Sequence, residues 1–310
     1  MENQKRAAVM DLGTNTFHLL IAKQYAEGFT PILRRTEAVK LGEGGISRGI
    51  IQPAALERGI AAMQRFKALI DEYEVTAIKA VATSAVRNAA NRQDFINEVQ
   101  QKAGISIDLI NGDQEAEYIY DGIKASGALS KETCLIMDIG GGSVEFIIGN
   151  ESNIFWKQSF EIGAARLMDK FHRKDPIALP SIKEMTGFLN GKLTDLFRAA
   201  LQYKPTLLVG SSGSFESFAE MIETDNSRAF DVQQTQVYDF DTDNLLNVIE
   251  WLAKSSHAQR KAKRAIIPVR VDMIVTASLL TIYIMQKLGL PDVRMSTWSL
   301  KEGVMAGLMA

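Results

Sequence analysis

Residues 9–20 (VMDLGTNTFHLL) and 136–149 (IMDIGGGSVEFIIG) are built to one plan. Each is an apolar run ending in Asp, then a glycine-bearing turn with small hydroxylated or amide residues, then a second apolar run that starts at once. That order predicts strand, tight turn and strand, written twice and 127 positions apart when Asp11 is matched to Asp138. A chain carrying the same hairpin in each half is expected to form two α/β lobes related by duplication. Two such hairpins facing each other would hold a phosphate chain from both sides.

The rest of the chain follows the repeat. Residues 29–45 read as a third strand ending at a turn, and 53–72 as a helix. Pro53 suits a first helical turn, and Leu56, Ile60, Met63, Phe66 and Ile70 recur at spacings of three and four. A strand at 75–86 runs into a polar turn. A helix at 92–104 stops at Gly104, 106–110 is a short strand, and a helix begins near Asp113. The order restarts at Cys134 with the second hairpin, a strand at 153–163, helices at 164–171 and 181–202, and a strand-to-helix junction at 205–222. Helices at 242–255 and 271–288, a strand at 291–297 and a terminal helix complete the chain. The expected lobes are 1–125 and 126–310, with a boundary near 123–131 and the terminal helix, about 298–310, free to pack back on the first lobe.

Composition adds limits. The 310 residues are 46% hydrophobic, enough to fill large cores, and the net charge of −2 gives no global pull toward nucleic acid or an anionic membrane. Neither is expected as a partner, and any anion site must be local. The single cysteine, Cys134, lies in an apolar run and reads as a buried thiol in a reducing compartment. The N-terminus offers no signal-peptide core, and no segment supplies about 18 uncharged apolar residues in a row. A cytoplasmic protein is expected.

Backbone N–H groups in a glycine-rich turn can converge on phosphate oxygens, and glycine lets the ligand approach closely. Gly140, Gly141 and Gly142 supply such a turn, and a strand follows it rather than the helix that a dinucleotide fingerprint or Walker loop requires. With a side-chain period of two, Ser143 and Glu145 share one face. In the first hairpin Gly13, Thr14, Asn15 and Thr16 suit gripping phosphate. Either hairpin alone reads better as ordinary turn chemistry; the pairing, with Asp in register, reverses that and favours the ligand. Carboxylates at Asp11, Asp138 and Glu145 around phosphates would repel them unless a hard cation bridged the charges, and Mg²⁺ is the natural candidate. In ATSAVRNAAN (82–91), Ser84 sits at a strand-to-helix junction with Arg87 one turn on, a place for an anion or simply a helix cap. Glu115 falls in a first helical turn, where it either complements the helix dipole or serves as a base. GSSGSFESF (210–218), with Ser211 and Gly213, is another junction that fits phosphate or a plain cap. The basic segment 257–264 reads as a solvated helix face, with guidance of a polyanion as the alternative. His18, His172 and His257 lack metal spacing, and His18 reads as a structural strand residue.

Taken together, DLGTNTFHLL, ATSAVRNAAN, GDQEA, DIGGGSVE and GSSGS, in this order and spacing, resemble the exopolyphosphatase and guanosine pentaphosphate phosphohydrolase (Ppx/GppA) family over essentially the whole chain. The resemblance implies two actin-like, ribonuclease H-like lobes with the active site in the cleft between them. It implies that Glu115 activates water, that Asp138 and Glu145 serve Mg²⁺ and water, and that Arg87 grips phosphate. Gln114 stands where the family has a further acid, Ser299-Leu300-Lys301-Glu302-Gly303 departs from its glycine-leucine-arginine-glutamate-glycine block, and Arg270-Val271-Asp272 lacks a later glycine. The chain also stops short of the long members' helical extension, which matches the short branch. The expected reaction is Mg²⁺-dependent hydrolysis of the terminal phosphoanhydride of inorganic polyphosphate. The alternative substrate is guanosine pentaphosphate; an actin-like kinase and a non-catalytic phosphate sensor are the more distant readings. A homodimer is left open.

Overall fold

The computed structural model describes residues 5–25, 28–211 and 213–309. The chain divides into two compact units: unit 1 is Met1–Ala125 with Leu300–Ala310, and unit 2 is Ser126–Ser299. Unit 1 contains β1 (Arg6–Leu12), β2 (Thr16–Tyr25), β3 (Gly28–Ala38), α1 (Pro53–Glu72), β4 (Ala77–Ala82), α2 (Ser84–Arg87), α3 (Arg92–Ala103), β5 (Ile107–Leu109) and α4 (Gly112–Ala125). In unit 2 the chain forms β6 (Cys134–Ile139), β7 (Val144–Gly149), β8 (Ile154–Phe160), α5 (Ala164–Phe171), α6 (Leu179–Lys192), α7 (Thr194–Tyr203) and β9 (Leu207–Ser211). It continues through α8 (Gly213–Asp225), β10 (Val237–Asp239), α9 (Thr242–Lys254), α10 (His257–Ala262), α11 (Ile274–Leu288) and β11 (Val293–Ser296). The last helix, α12 (Leu300–Met309), returns to unit 1 and packs on α4 and β1.

The two sheets have one topology. Unit 1 is a five-stranded sheet in the order β3-β2-β1-β4-β5, and unit 2 reads β8-β7-β6-β9-β11 with β10 added at the far edge. In each, a central strand pairs antiparallel with its hairpin partner and parallel with a strand that arrives after a helical crossover. This is the duplicated, actin-like α/β architecture. The register makes the duplication exact residue by residue. Asp11 lies opposite His18 on one side and Val81 on the other; Asp138 lies opposite Glu145 and Ser211.

β6 and β7 are buried along their whole length, as central strands covered on both faces must be. Cys134 opens β6 at 2% exposure, and burial pushes its thiol up to about 12. The unit 2 core gathers Phe146, Phe160, Phe215 and Phe218, and the unit 1 core Met10, Phe17, Phe66 and Phe95. The face of α1 buried against that core includes Ile60, Met63, Phe66 and Ile70.

Two local expectations need correction, and one short strand was not anticipated. The helix expected over 181–202 is two helices, α6 and α7, which share Leu193 as the end of one and the cap of the next; that residue is fully buried. The three-residue strand β10 is too short to show a sequence period. The basic segment at 257–264 is not a uniformly solvated face: Arg260 is 1% exposed, with Nη2 donating to Asp175 Oδ1 at 2.7 Å and Nε to the Val271 carbonyl at 2.8 Å. His172 Nε2 lies 3.3 Å from the same Asp175 oxygen, and His257 Nδ1 lies 2.7 Å from Asp272 Oδ1. Both histidines therefore belong to a structural charge cluster in unit 2.

Candidate functional site

In unit 1, α2 and α4 bring the arginine and the glutamate together. β4 ends at Ala82, and the chain turns directly into α2, with Ser84 buried at its start and Arg87 at its end. Asn88 Nδ2 donates to Ser84 Oγ at 3.3 Å. At the start of α4, the Gln114 N–H donates to Asn111 Oδ1 at 2.9 Å and the Asn111 N–H to Gln114 Oε1 at 3.0 Å. This reciprocal cap explains Gln114: it serves the helix end and leaves the next residue to face inward. Glu115 is 6% exposed, and its Oε2 accepts from Arg87 Nη1 at 2.6 Å; the same nitrogen reaches the Ile110 carbonyl at 3.3 Å. A buried carboxylate is thereby held in a charge-assisted hydrogen bond to a cation that can also grip an anion.

The first hairpin turn, residues 13–16, is pinned from behind. Gly13 N–H donates to the Thr16 carbonyl at 3.1 Å, Lys40 N–H to the Asn15 carbonyl at 2.8 Å, and Gly42 N–H to the Thr14 carbonyl at 3.0 Å. His18 sits between two hydroxyls, with Nε2 2.9 Å from Thr16 Oγ1 and Nδ1 2.9 Å from Thr36 Oγ1. It organises the turn beside Asp11.

In unit 2, polar side chains form a row across five strands at one register level: Ser296 on β11, Ser211 on β9, Asp138 on β6, Glu145 on β7 and Ser159 on β8. Residues directly opposite in a sheet share a face with Cβ atoms roughly 4.5–5.5 Å apart, so the two carboxylates stand side by side. Ser159 Oγ donates to Glu145 Oε1 at 2.6 Å, and Ser299 Oγ to Asp138 Oδ2 at 2.5 Å. The same level in unit 1 reads Asp108, Val81, Asp11, His18 and Thr36. The second copy thus carries Glu in place of His and Ser in place of Val, adding an acid and a hydroxyl where the first copy has a base and a methyl-bearing side chain.

The glycine turn between β6 and β7 is held by the start of α5. Ala164 N–H donates to the Gly140 carbonyl at 2.9 Å, Ala165 to Gly141 at 3.0 Å and Gly163 to Gly142 at 3.1 Å, while Arg166 Nε reaches the Gly142 carbonyl at 2.9 Å. A side chain at Gly163 would place its Cβ 2.4 Å from the carbonyl carbon of Gly141, so only glycine allows this packing. With the carbonyls of Gly140, Gly141 and Gly142 engaged by α5, the opposite face of the turn, leading to buried Ser143, is the one an anion can meet. At the β9–α8 junction, Ser211 is fully buried and Gly213 begins α8; Ser212, in the same motif, lies outside the described residues. Arg270 bonds Glu216 Oε2 at 3.0 Å and Ser217 Oγ at 3.3 Å in the first turn of α8.

Among the described residues, no three His, Cys, Asp or Glu side chains gather as a metal-binding group. What unit 2 does assemble is the Asp138–Glu145 pair beside Ser211, whose buried Oγ has no hydrogen-bond partner among the described residues. These are hard oxygen donors in the small number that Mg²⁺ takes from a protein when water and phosphate supply the rest, so the residues fit the ion. Asp11 stands at the corresponding place in unit 1. Sequence reading missed Ser159, Ser299 and Gly163, which lie far along the chain from what they support; only the register and the backbone packing reveal them.

The model of the Ppx/GppA phosphatase family matches residues 20–310. Exopolyphosphatase 1 of Mycobacterium leprae (strain TN) is 26% identical over 96% of this chain and 88% of its own length. A crystal structure of an exopolyphosphatase from Cytophaga hutchinsonii superposes with a TM-score of 0.96 at 36% identity, covering 98% of each chain. A guanosine-5'-triphosphate,3'-diphosphate pyrophosphatase of Aeromonas hydrophila is 24% identical over all of this chain and 60% of its own length. No helix among the described residues is long and apolar enough to cross a membrane.

Proposed function

This chain belongs to the Ppx/GppA phosphatase family, and from that membership and the site we propose that it is a phosphoanhydride hydrolase that removes the terminal phosphate of inorganic polyphosphate. The observation that carries the reading is the 2.6 Å pair of Arg87 and Glu115, which puts a buried carboxylate beside the cation best suited to hold the phosphoryl group under attack. In the proposed reaction Glu115 takes a proton from water as the water oxygen attacks the terminal phosphorus in line. The P–O bond to the bridging oxygen breaks, and orthophosphate leaves a chain shorter by one phosphate. Arg87 balances charge on the attacked phosphoryl group.

Gly13, Thr14, Asn15, Thr16 and Ser84 of unit 1, and Gly140, Gly141, Gly142, Ser143, Ser211 and Gly213 of unit 2, are proposed to hold phosphate oxygens. Asp138 and Glu145 of unit 2 would hold Mg²⁺, and Asp11 is the corresponding carboxylate of unit 1. When bound, the ion neutralises phosphate charge that these carboxylates would otherwise repel. The near-complete mutual coverage with relatives named exopolyphosphatase supports polyphosphate as the first substrate to test. Guanosine pentaphosphate is the second, supported by the Aeromonas relative, of whose length this chain matches 60%; side-by-side kinetics on both substrates rank them.

Glu115→Gln preserves the shape of the pair with Arg87 while removing the base. Phosphate release from polyphosphate should fall by about 10²–10⁴-fold, the usual contribution of a general base, with chain binding largely intact. Turnover at the parent rate would sink the assignment.

A further inference from the structure

Asp138 and Glu145 stand opposite each other on neighbouring strands, where like charges oppose folding unless each is held by a donor. Glu145 takes its donor from within the sheet: Ser159 is its register partner on β8. Asp138 has a serine in the corresponding place on its other side, Ser211 on β9, yet Ser211 Oγ makes no hydrogen bond among the described residues. Ser299, 161 positions away, donates to Asp138 Oδ2 instead.

Ser299 is the last residue of unit 2 before the chain re-enters unit 1 at Leu300. The segment leading to it is tied down: Ser296 Oγ lies 2.8 Å from the Trp298 carbonyl, accepts from the Trp298 N–H at 3.2 Å, and lies 2.9 Å from Ser126 Oγ. Ser126 is the first residue of unit 2 on the outward path. Both segments that link the units thus meet, within unit 2, beside the residue that holds Asp138.

We propose that Ser299 is a positioning residue for the cation: its hydroxyl fixes the Asp138 carboxylate from the segment through which the chain leaves unit 2. The inference rests on the reading of Asp138 and Glu145 as the cation-holding pair. Partners that orient a metal-binding side chain typically change metal affinity by about 10–100-fold when removed. Ser211, although adjacent, is expected not to substitute, because its hydroxyl is not engaged with Asp138 in the folded chain.

The test is Mn²⁺ binding to the whole protein without substrate, followed by the loss of the free-ion electron paramagnetic resonance signal, for the parent, Ser299→Ala, Ser299→Thr and Asp138→Asn. Expected are a rise of about tenfold in Kd for Ser299→Ala, recovery to within about twofold for Ser299→Thr, and loss of the site in Asp138→Asn. Thermal melting checks that each variant is folded, and Ser299→Cys, close in shape with a weak donor, replaces the alanine variant if that one does not fold. Parent-like affinity in the variant lacking the hydroxyl, alongside a damaged Asp138→Asn, overturns the role of Ser299 and leaves the cation pair standing. Parent-like affinity in Asp138→Asn overturns the cation reading itself, and the inference with it.

Discussion

Gly303→Ala should be among the most damaging single-methyl additions in this chain. Gly303 lies in the first half of α12, where the helix crosses α4, and a Cβ built there falls 1.8 Å from the Tyr118 carbonyl oxygen and 2.9 Å from the Gly122 nitrogen. Both obstacles are backbone, so no side-chain rotamer can relieve them. Reaching even a 3.0 Å separation requires the helices to part by about 1.2 Å. Overpacking of this kind costs about 3 kcal/mol at the upper end of its usual range, offset by about 1 kcal/mol from alanine's better helix propensity. A net loss of about 2 kcal/mol lowers Tm by roughly 4–8 °C for a protein or unit of this size. The same displacement acts on α4, which carries Glu115 one turn before Tyr118, and a shift near 1 Å at a catalytic group can cost about 10²-fold in rate. The assay pairs thermal melting with phosphate-release kinetics, using Gly307→Ala as control: Gly307 lies one turn further along α12, and a Cβ there meets nothing within 4 Å. Equal melts and equal turnover for the two variants would refute the packing argument.

Gly163→Ala should disturb the glycine turn, since its Cβ would sit 2.4 Å from the Gly141 carbonyl carbon; the expected result is a KM for polyphosphate raised by about tenfold or more with a smaller effect on Tm, and a KM within twofold of the parent would contradict it. Burial, reinforced by the Arg260 charge, lowers the pKa of His172 from its ordinary value near 6.5 despite neighbouring Asp175. The unfolded chain therefore takes up that proton first as pH falls, so the contribution is intact above about pH 6.5 and is lost as pH drops toward and through the lower folded value. Melting between pH 7.5 and 5.0 should show a steeper decline for the parent than for His172→Gln; parallel curves would count against this sign.

What the sequence made legible is what repeats or has a period. The two hairpins, the Asp11–Asp138 match and the helical face of α1 follow from local order. The row Ser296, Ser211, Asp138, Glu145, Ser159 is assembled by strand register, and only the Asp138–Glu145 part is visible locally, because those two residues belong to one hairpin. Ser159 arrives by a second antiparallel pairing and Ser299 by the return of the chain after β11, so neither has a local signal. Arg260 misled for a related reason: four basic residues in the eight positions 257–264, His257 not counted, suggest a solvated face, whereas the carboxylate that draws Arg260 inward is Asp175, 85 positions earlier. The break at Leu193 was hidden because helical bonds run on either side of it, from Leu193 N–H to the Leu189 carbonyl and from Phe197 N–H to the Leu193 carbonyl, each at 3.0 Å.

Unit 1 is discontinuous, and α12 is its final piece. On a ribosome, the surface of α4 and β1 that α12 will cover must wait while residues 126–299 are synthesised, on the order of 10–30 s at ordinary elongation rates. Unit 2 is contiguous and can complete its core first. The stretch of α4 from Tyr118 to Gly122 that receives Gly303 therefore spends the whole of that interval uncovered, so the last helix docks onto a surface that the rest of unit 1 has had to hold in shape without it.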